Sequence, residues 1–281
     1  MDHRRVRVIA VIAIVVCLAA ACAPAPSGPP TQGVNDWGCR PAAGREPVVM
    51  LHGLGANGGL NWFTKAPLIA GAGYCVFTPT YGVGAFGIGG LQSMRSSAAE
   101  IATYIDSVRT STGSAKVDIV GHSEGTAVAT YYMKFLGGNT KVRHFVGFGS
   151  IYKGTTLYGL SVLAHAVSPI LDPVLDVVCA SCTEFLPPSQ FIDDLNAGGV
   201  TVPGPTYTNL VTTFDEVVIP YTSGILNEPG VTNIVLQQHC ILDLSGHVAL
   251  AIDPNVTGLV IWTLGGEVGP RPLCLPFIAP L

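Results

Sequence analysis

Charge is scarce in this chain, and beyond Lys153 the only lysine or arginine is Arg271. Nucleic-acid binding rests on Lys and Arg neutralising phosphates, so this distribution, with a formal net charge of −4, excludes nucleic acid as a partner. No internal repeat and no apolar heptad pattern is present. The apolar run from Val8 to Ala21 is shorter than the ~20 residues a helix needs to cross a bilayer. It follows Arg4, Arg5 and Arg7 and leads into Ala-Cys-Ala-Pro-Ala-Pro-Ser-Gly-Pro-Pro, the order of an export signal. The expected organisation is a signal peptide over 1–21, a Pro-rich disordered segment over 22–36, and one folded domain over 37–281. Cleavage after Ala21 would leave Cys22 first, behind Leu18-Ala19-Ala20-Ala21, a loose match to a lipidation site. Free secretion and a lipid anchor in the cell envelope both remain open.

Among the eight cysteines, six lie beyond that start: Cys39, Cys75, Cys179, Cys182, Cys240 and Cys274. An even number in an exported chain points to a disulfide framework whose pairing the count leaves open. Cys179-Ala-Ser-Cys182 has no second C-x-x-C and no nearby histidine, so a short structural disulfide is expected there rather than zinc or redox chemistry.

Glu46 to Leu51 is an apolar, β-branched run that ends in His52-Gly53-Leu54-Gly55, a buried strand entering a tight loop. Lys65 to Ala72 is expected to be helical and Tyr74 to Thr78 a strand. Met94 to Thr110 places Ala98, Ile101, Ala102, Ile105 and Val108 near a 3.6 period, an amphipathic helix. Lys116 to Val120 then reads as a strand, Gly121 to Gly125 as a sharp turn, Thr126 to Leu136 as a helix and Val142 to Phe148 as a strand. This alternation predicts an α/β fold with a mostly parallel central sheet and helices on both faces. An apolar insertion over about 151–200 interrupts the rhythm and suits a lid or a pocket wall, or an ordinary packed excursion. Thr206 to Thr213 and Asn233 to Gln237 are the last expected strands, followed by helical material at Val248 to Leu250 and Val256 to Leu264.

Gly121-His122-Ser123-Glu124-Gly125 fits G-x-S-x-G. In a chain with 34 glycines the letters alone are weak, but a strand directly before and a helix directly after supply the required setting. A serine hydroxyl needs a base to take its proton and an acid to orient that base. His247 lies on a loop beyond the last strand and is preferred to His239, which a disulfide at Cys240 would restrict. Asp215 follows the strand ending at Thr213, at the carboxyl edge of the sheet, with Glu216 as a minor rival. Asp243 is too close to His247 in sequence to come from a separate strand. The backbone N–H groups of Leu54 and Glu124 are the expected oxyanion donors. Gly82-Val-Gly84-Ala-Phe-Gly87 satisfies G-x-G-x-x-G, but the next strand leads to Ser123 rather than to an acid, so it is expected to be a loop at the pocket rim.

With these residues placed, the chain resembles the secreted lipases of actinobacteria and the related fungal lipase B type, within the α/β-hydrolase superfamily. The likeness runs from about Trp37 to Leu275. It rests on Gly53-Leu54-Gly55, the serine turn, Tyr152-Lys-Gly-Thr155, Thr208 to Ile219 around Asp215, and Cys240 through His247. The resemblance implies Ser123, Asp215 and His247 as a catalytic triad and disulfides Cys39–Cys75 and Cys240–Cys274, which leaves Cys179–Cys182. Where fungal lipase B has a threonine in the oxyanion loop this chain has Leu54, and where it has glutamine after the serine this chain has Glu124. The implied activity is a lipase or carboxylesterase working through an acyl-enzyme, with an ester or lipid substrate, a lipid interface, no cofactor and no metal, in a monomer. The alternatives are acyl transfer or polyester cleavage by the same triad, or a non-catalytic lipid-binding envelope protein.

Overall fold

The computed structural model describes residues 32–155, 178–186 and 188–279. The expected signal peptide, Cys22 and the part of the insertion over 156–177 lie outside the described residues. Among the described residues, seven strands form one sheet: β1 (Gly33–Val34), β2 (Val48–Leu51), β3 (Cys75–Phe77), β4 (Val117–His122), β5 (Val142–Phe148), β6 (Thr206–Val211) and β7 (Val231–Val235). Their order is β1-β3-β2-β4-β5-β6-β7, and every neighbouring pair is parallel.

Successive side chains of a strand point to opposite faces, and the sheet uses this to build two cores. Val49, Leu51, Ile119 and Phe145 face one cluster; Val48, Met50, Val120, Val146 and Phe148 face the other. On the first face lie α3 (Met94–Thr112), α4 (Glu124–Phe135), α5 (Ala180–Phe185) and α6 (Gln190–Asn196). On the second lie α1 (Gly58–Trp62), α2 (Lys65–Gly71) and α8 (Pro254–Leu264), while α7 (Leu236–His239) closes the end of β7. Burial on both faces explains why β2 reads as an unbroken apolar run and β4 and β5 as mostly apolar ones.

Local chemistry sets the helix ends. Ser93 Oγ accepts from Arg95 N at the start of α3, and Gly113 ends that helix at φ 73°. Asp253 accepts from the amides of Asn255 and Val256 ahead of α8, with Pro254 in its first turn.

Two expectations need correction. Within the stretch expected to be disordered, the residues from Gly33 on are built into the sheet: Gly33 N donates to Tyr74 O, Asn35 N donates to Val76 O, and the Asn35 side chain pairs with Thr78, so β1 extends the sheet beside β3. Two residues are too short to carry a periodic signal. Asn233 to Gln237 divides between β7 and α7, because Leu236 turns inward to be fully buried while the backbone coils. Of the insertion, the described helices α5 and α6 bury Phe185, Phe191, Ile192 and Leu195 in the first core.

The three disulfides are Cys39–Cys75, Cys179–Cys182 and Cys240–Cys274. Beyond the last of these, Leu244 N donates to Phe277 O at 2.9 Å and Leu275 N donates to Asn255 Oδ1 at 2.8 Å. The carboxy-terminal segment is thereby laid along the loop that carries His247.

Candidate active site

Ser123 sits between β4 and α4 with φ 53° and ψ −121°, a backbone conformation rare for a residue with a side chain. Its N–H donates to Phe148 O at 3.0 Å, and its carbonyl accepts from Thr126 N at 2.9 Å. The flanking glycines make the turn possible. A Cβ on Gly125 would lie 2.3 Å from Leu51 O, and one on Gly121 would lie 3.1 Å from the carbonyl carbon of Gly125. The turn presents the Ser123 hydroxyl at the carboxyl edge of the sheet, next to the loop after β2.

His247 comes from the loop beyond β7 and α7. Its Nε2 lies 2.8 Å from Ser123 Oγ, and its Nδ1 lies 3.1 and 3.0 Å from the two carboxyl oxygens of Asp215. Asp215 follows β6 and is fixed in turn, since Oδ1 accepts from Val217 N at 3.0 Å and Val218 N at 2.6 Å. The three residues singled out in sequence therefore meet in one hydrogen-bonded line. The rivals lie elsewhere or serve otherwise. His239 sits in α7. Asp243 accepts from Ser245 N and Asn255 Nδ2, and Glu216 accepts from the backbone N–H of His247 at 2.6 Å.

Leu54 and Glu124, expected as oxyanion donors, line one recess together with Ser123. Neither of their N–H groups has a hydrogen-bond partner among the described residues. The loop that carries Leu54 is held from below by His52, which stacks on Tyr81 at 4.2 Å and places Nδ1 2.9 Å from Gly53 O. Burial lowers the His52 pKa, so in the neutral ring Nδ1 donates to Gly53 O while Nε2 accepts from Tyr81 N.

Sequence reasoning gave no role to His122 and Asn61. Asn61 Oδ1 accepts from Gly53 N at 3.2 Å and lies 3.1 Å from His122 Nδ1; His122 Nε2 lies 3.1 Å from His247 O. One buried ring thus spans the loop of Leu54 and the loop of His247. Burial, followed by the neighbouring His247, holds His122 well below the ordinary histidine range. A neutral ring donates to only one of the two oxygens at a time. The signal for His122 was its place inside the pentapeptide; Asn61 carried none.

Two recesses flank Ser123 and His247. The larger, about 360 Å³, is lined by Leu54, Leu60, Phe63, Val248 and Ile252, and the smaller, about 230 Å³, by Leu54, Ile151, Phe185 and Val217. Both are mostly apolar and meet at the serine. The G-x-G-x-x-G stretch forms a surface loop in which Phe86 is fully exposed, and Gly89 and Gly90 just beyond it pack against His52 and Glu124. The described residues contain no cluster of His, Cys, Asp and Glu able to hold a metal ion.

The class 2 lipase family matches residues 45–257. No curated protein matches the chain in sequence. Among solved structures, Aspergillus fumigatus lipase B superposes with a TM-score of 0.64 at 18% identity, covering 82% of this chain and 54% of that one, so the chain spans about half the length of that relative. The mature form of the Bacillus licheniformis lipase BlEst2 gives a TM-score of 0.59 at 18% identity, covering 84% of this chain and 99% of that one. A carboxylesterase of the thaumarchaeon Nitrososphaera gargenis gives 0.52 at 16% identity, covering 82% and 94%. At these identities the superpositions speak for the fold, a parallel sheet with helices on both faces. The family match spans most of the chain and runs through Ser123, Asp215 and His247, and the protein therefore belongs to the class 2 lipases, with the α/β-hydrolase fold.

Proposed function

We propose that the protein is an exported serine hydrolase that cleaves carboxylic esters, acylglycerols among them, through an acyl-enzyme. The observation that carries this reading is the 2.8 Å contact of Ser123 Oγ with His247 Nε2 in line with Asp215. His247 takes the Ser123 proton as the hydroxyl attacks the ester carbonyl, and Asp215 stabilises the imidazolium that results. The tetrahedral oxyanion is held by the amides of Leu54 and Glu124. His247 then gives its proton to the leaving alkoxide, and water repeats the sequence on the acyl-enzyme to release the acid. Apolar recesses on both sides of Ser123 suit the acyl and alcohol halves of a lipid ester.

Around the mouth, Leu60, Phe63 and Val248 are 63%, 61% and 62% exposed, a rim suited to a lipid surface. The whole triad comes from one chain, so a monomer suffices. Export, whether free or anchored through Cys22, draws support from three disulfides in a molecule of this size.

The test is hydrolysis of short and long acyl esters by the purified protein and by Ser123→Ala, together with labelling by a fluorophosphonate. Activity and labelling should both vanish in the variant. Equal turnover by the two proteins would sink the proposal.

A further inference from the structure

The side chain of Glu124 is 1% exposed, and neither of its carboxyl oxygens has a hydrogen-bond partner among the described residues. Buried polar groups are rarely left so, and a carboxylate in that position is far costlier than a carboxylic acid. The group lies close to the oxyanion donors. A Cβ placed on Gly90 would be 2.9 Å from Glu124 Oε2 and 3.2 Å from Leu54 Cα, so the carboxyl and the Leu54 backbone are neighbours across that glycine. The other donor is the amide of Glu124 itself.

The ionisable groups that bear on the carboxyl come from three directions. From α5, Glu184 acts on it as a like charge. Glu184 in turn accepts from Ser93 Oγ at 2.7 Å and from Met94 N at the start of α3, and lies 4.0 Å from Arg95 Nε, partners suited to the ionised form. From the loop after β3 comes Tyr81, whose hydroxyl donates to His52 O, with the neutral His52 ring stacked upon it. From the loop beyond β7, His247 lines the same recess. Among the described residues, no lysine or arginine is a charge that acts on Glu124. Burial first, and Glu184 second, raise its pKa well above the ordinary carboxyl range.

A negative charge behind the donors would oppose the negative oxyanion they are there to hold. We propose that Glu124 is a positioning residue that works as an un-ionised carboxylic acid: with its proton it backs the two oxyanion amides by a neutral group, and without it hydrolysis stops. The inference rests on the ester hydrolysis proposed above.

The experiment is the pH profile of kcat/KM with a short uncharged ester for the wild type, Glu124→Gln and Glu184→Gln. Wild-type activity should fall on the alkaline side, approaching about tenfold per pH unit once Glu124 ionises. Glu124→Gln should lose that limb, so its ratio of alkaline to neutral activity rises. Glu184→Gln removes the like charge and should move the limb to lower pH. A limb identical in wild type and Glu124→Gln overturns the inference, as does a Glu184→Gln limb that stays put or moves up. If the glutamine variant fails to fold, carboxyl-carbon NMR of the native protein labelled with ¹³C-glutamate decides instead. One glutamate should keep its proton at neutral pH and lose it on the alkaline side, and a protein with every glutamate ionised at neutral pH overturns the inference. The NMR result needs no turnover, so it stands apart from a wild type that cleaves no ester and takes no label at Ser123, which would defeat the proposed function alone.

Discussion

Asp215 and Glu216 are neighbours in sequence with different tasks, the first receiving the His247 ring and the second its backbone N–H. Removing the charge of Asp215 takes away the group that fixes the ring's tautomer, so Asp215→Asn should lower kcat by about 10⁴. Glu216→Gln keeps an acceptor for the amide and exchanges a charged hydrogen bond for a neutral one, a difference of about 1 kcal/mol, so it should cost about tenfold or less. Steady-state kinetics on both variants checks the division, and a glutamine variant as impaired as the asparagine one would reverse the assignment. At this scale the sequence was legible wherever chemistry and chain order coincide: Ser123 in its glycine turn, an acid after a strand, a histidine after the last strand. Asn61, the backbone role of Glu216 and the isolation of the Glu124 carboxyl were not legible. Each depends on which distant loop the side chain meets, and no spacing encodes that.

Strands were easier to find than their neighbours. A strand buried on both faces is largely apolar, which is why β2 and most of β4 and β5 stood out, Asp118 and Arg143 being paired with each other, whereas β1 spans two residues and α1 five. The packing of α2 against α8 holds a feature invisible to periodicity: Lys65 is fully buried, with Nζ donating to Asp253 O at 2.6 Å and to Thr257 Oγ at 2.8 Å. Burial lowers its pKa from 10.5 to about 7. Between those values the unfolded chain binds more protons than the folded one, so this lysine's penalty on stability is full at and below about pH 7 and fades as pH rises toward 10.5. Lys65→Met should therefore raise the thermal midpoint most near pH 7, with an advantage that shrinks at each higher pH. Melts of both proteins between neutral and alkaline pH measure it, and an advantage that is flat or grows would show that the lysine is not the titrating group.

On the scale of the molecule, the site is assembled from both ends of the fold. Ser123 stands on the central β4, while His247 belongs to a late loop bounded by Cys240–Cys274 and by the segment that pairs Leu244 with Phe277. The bridge joins residues 34 apart in sequence, and loop-closure entropy for a separation of that size amounts to ~4 kcal/mol. Replacing both cysteines by serine should lower the thermal midpoint and also kcat. The corresponding change at Cys39 and Cys75, on the opposite edge of the sheet, should affect stability and leave kcat nearer wild type. Thermal melts and kcat for the two double variants separate these outcomes; equal losses of kcat would deny the His247 loop any special dependence on its tether. The strained turn at Ser123 carries a consequence of another kind. A backbone at φ 53° suits glycine better than serine, so replacing Ser123, the proposed nucleophile, by glycine should relieve strain while abolishing the proposed chemistry. Selection for heat resistance alone would then favour chains that have lost the reaction, and durability would have to be selected together with turnover to keep the serine in place.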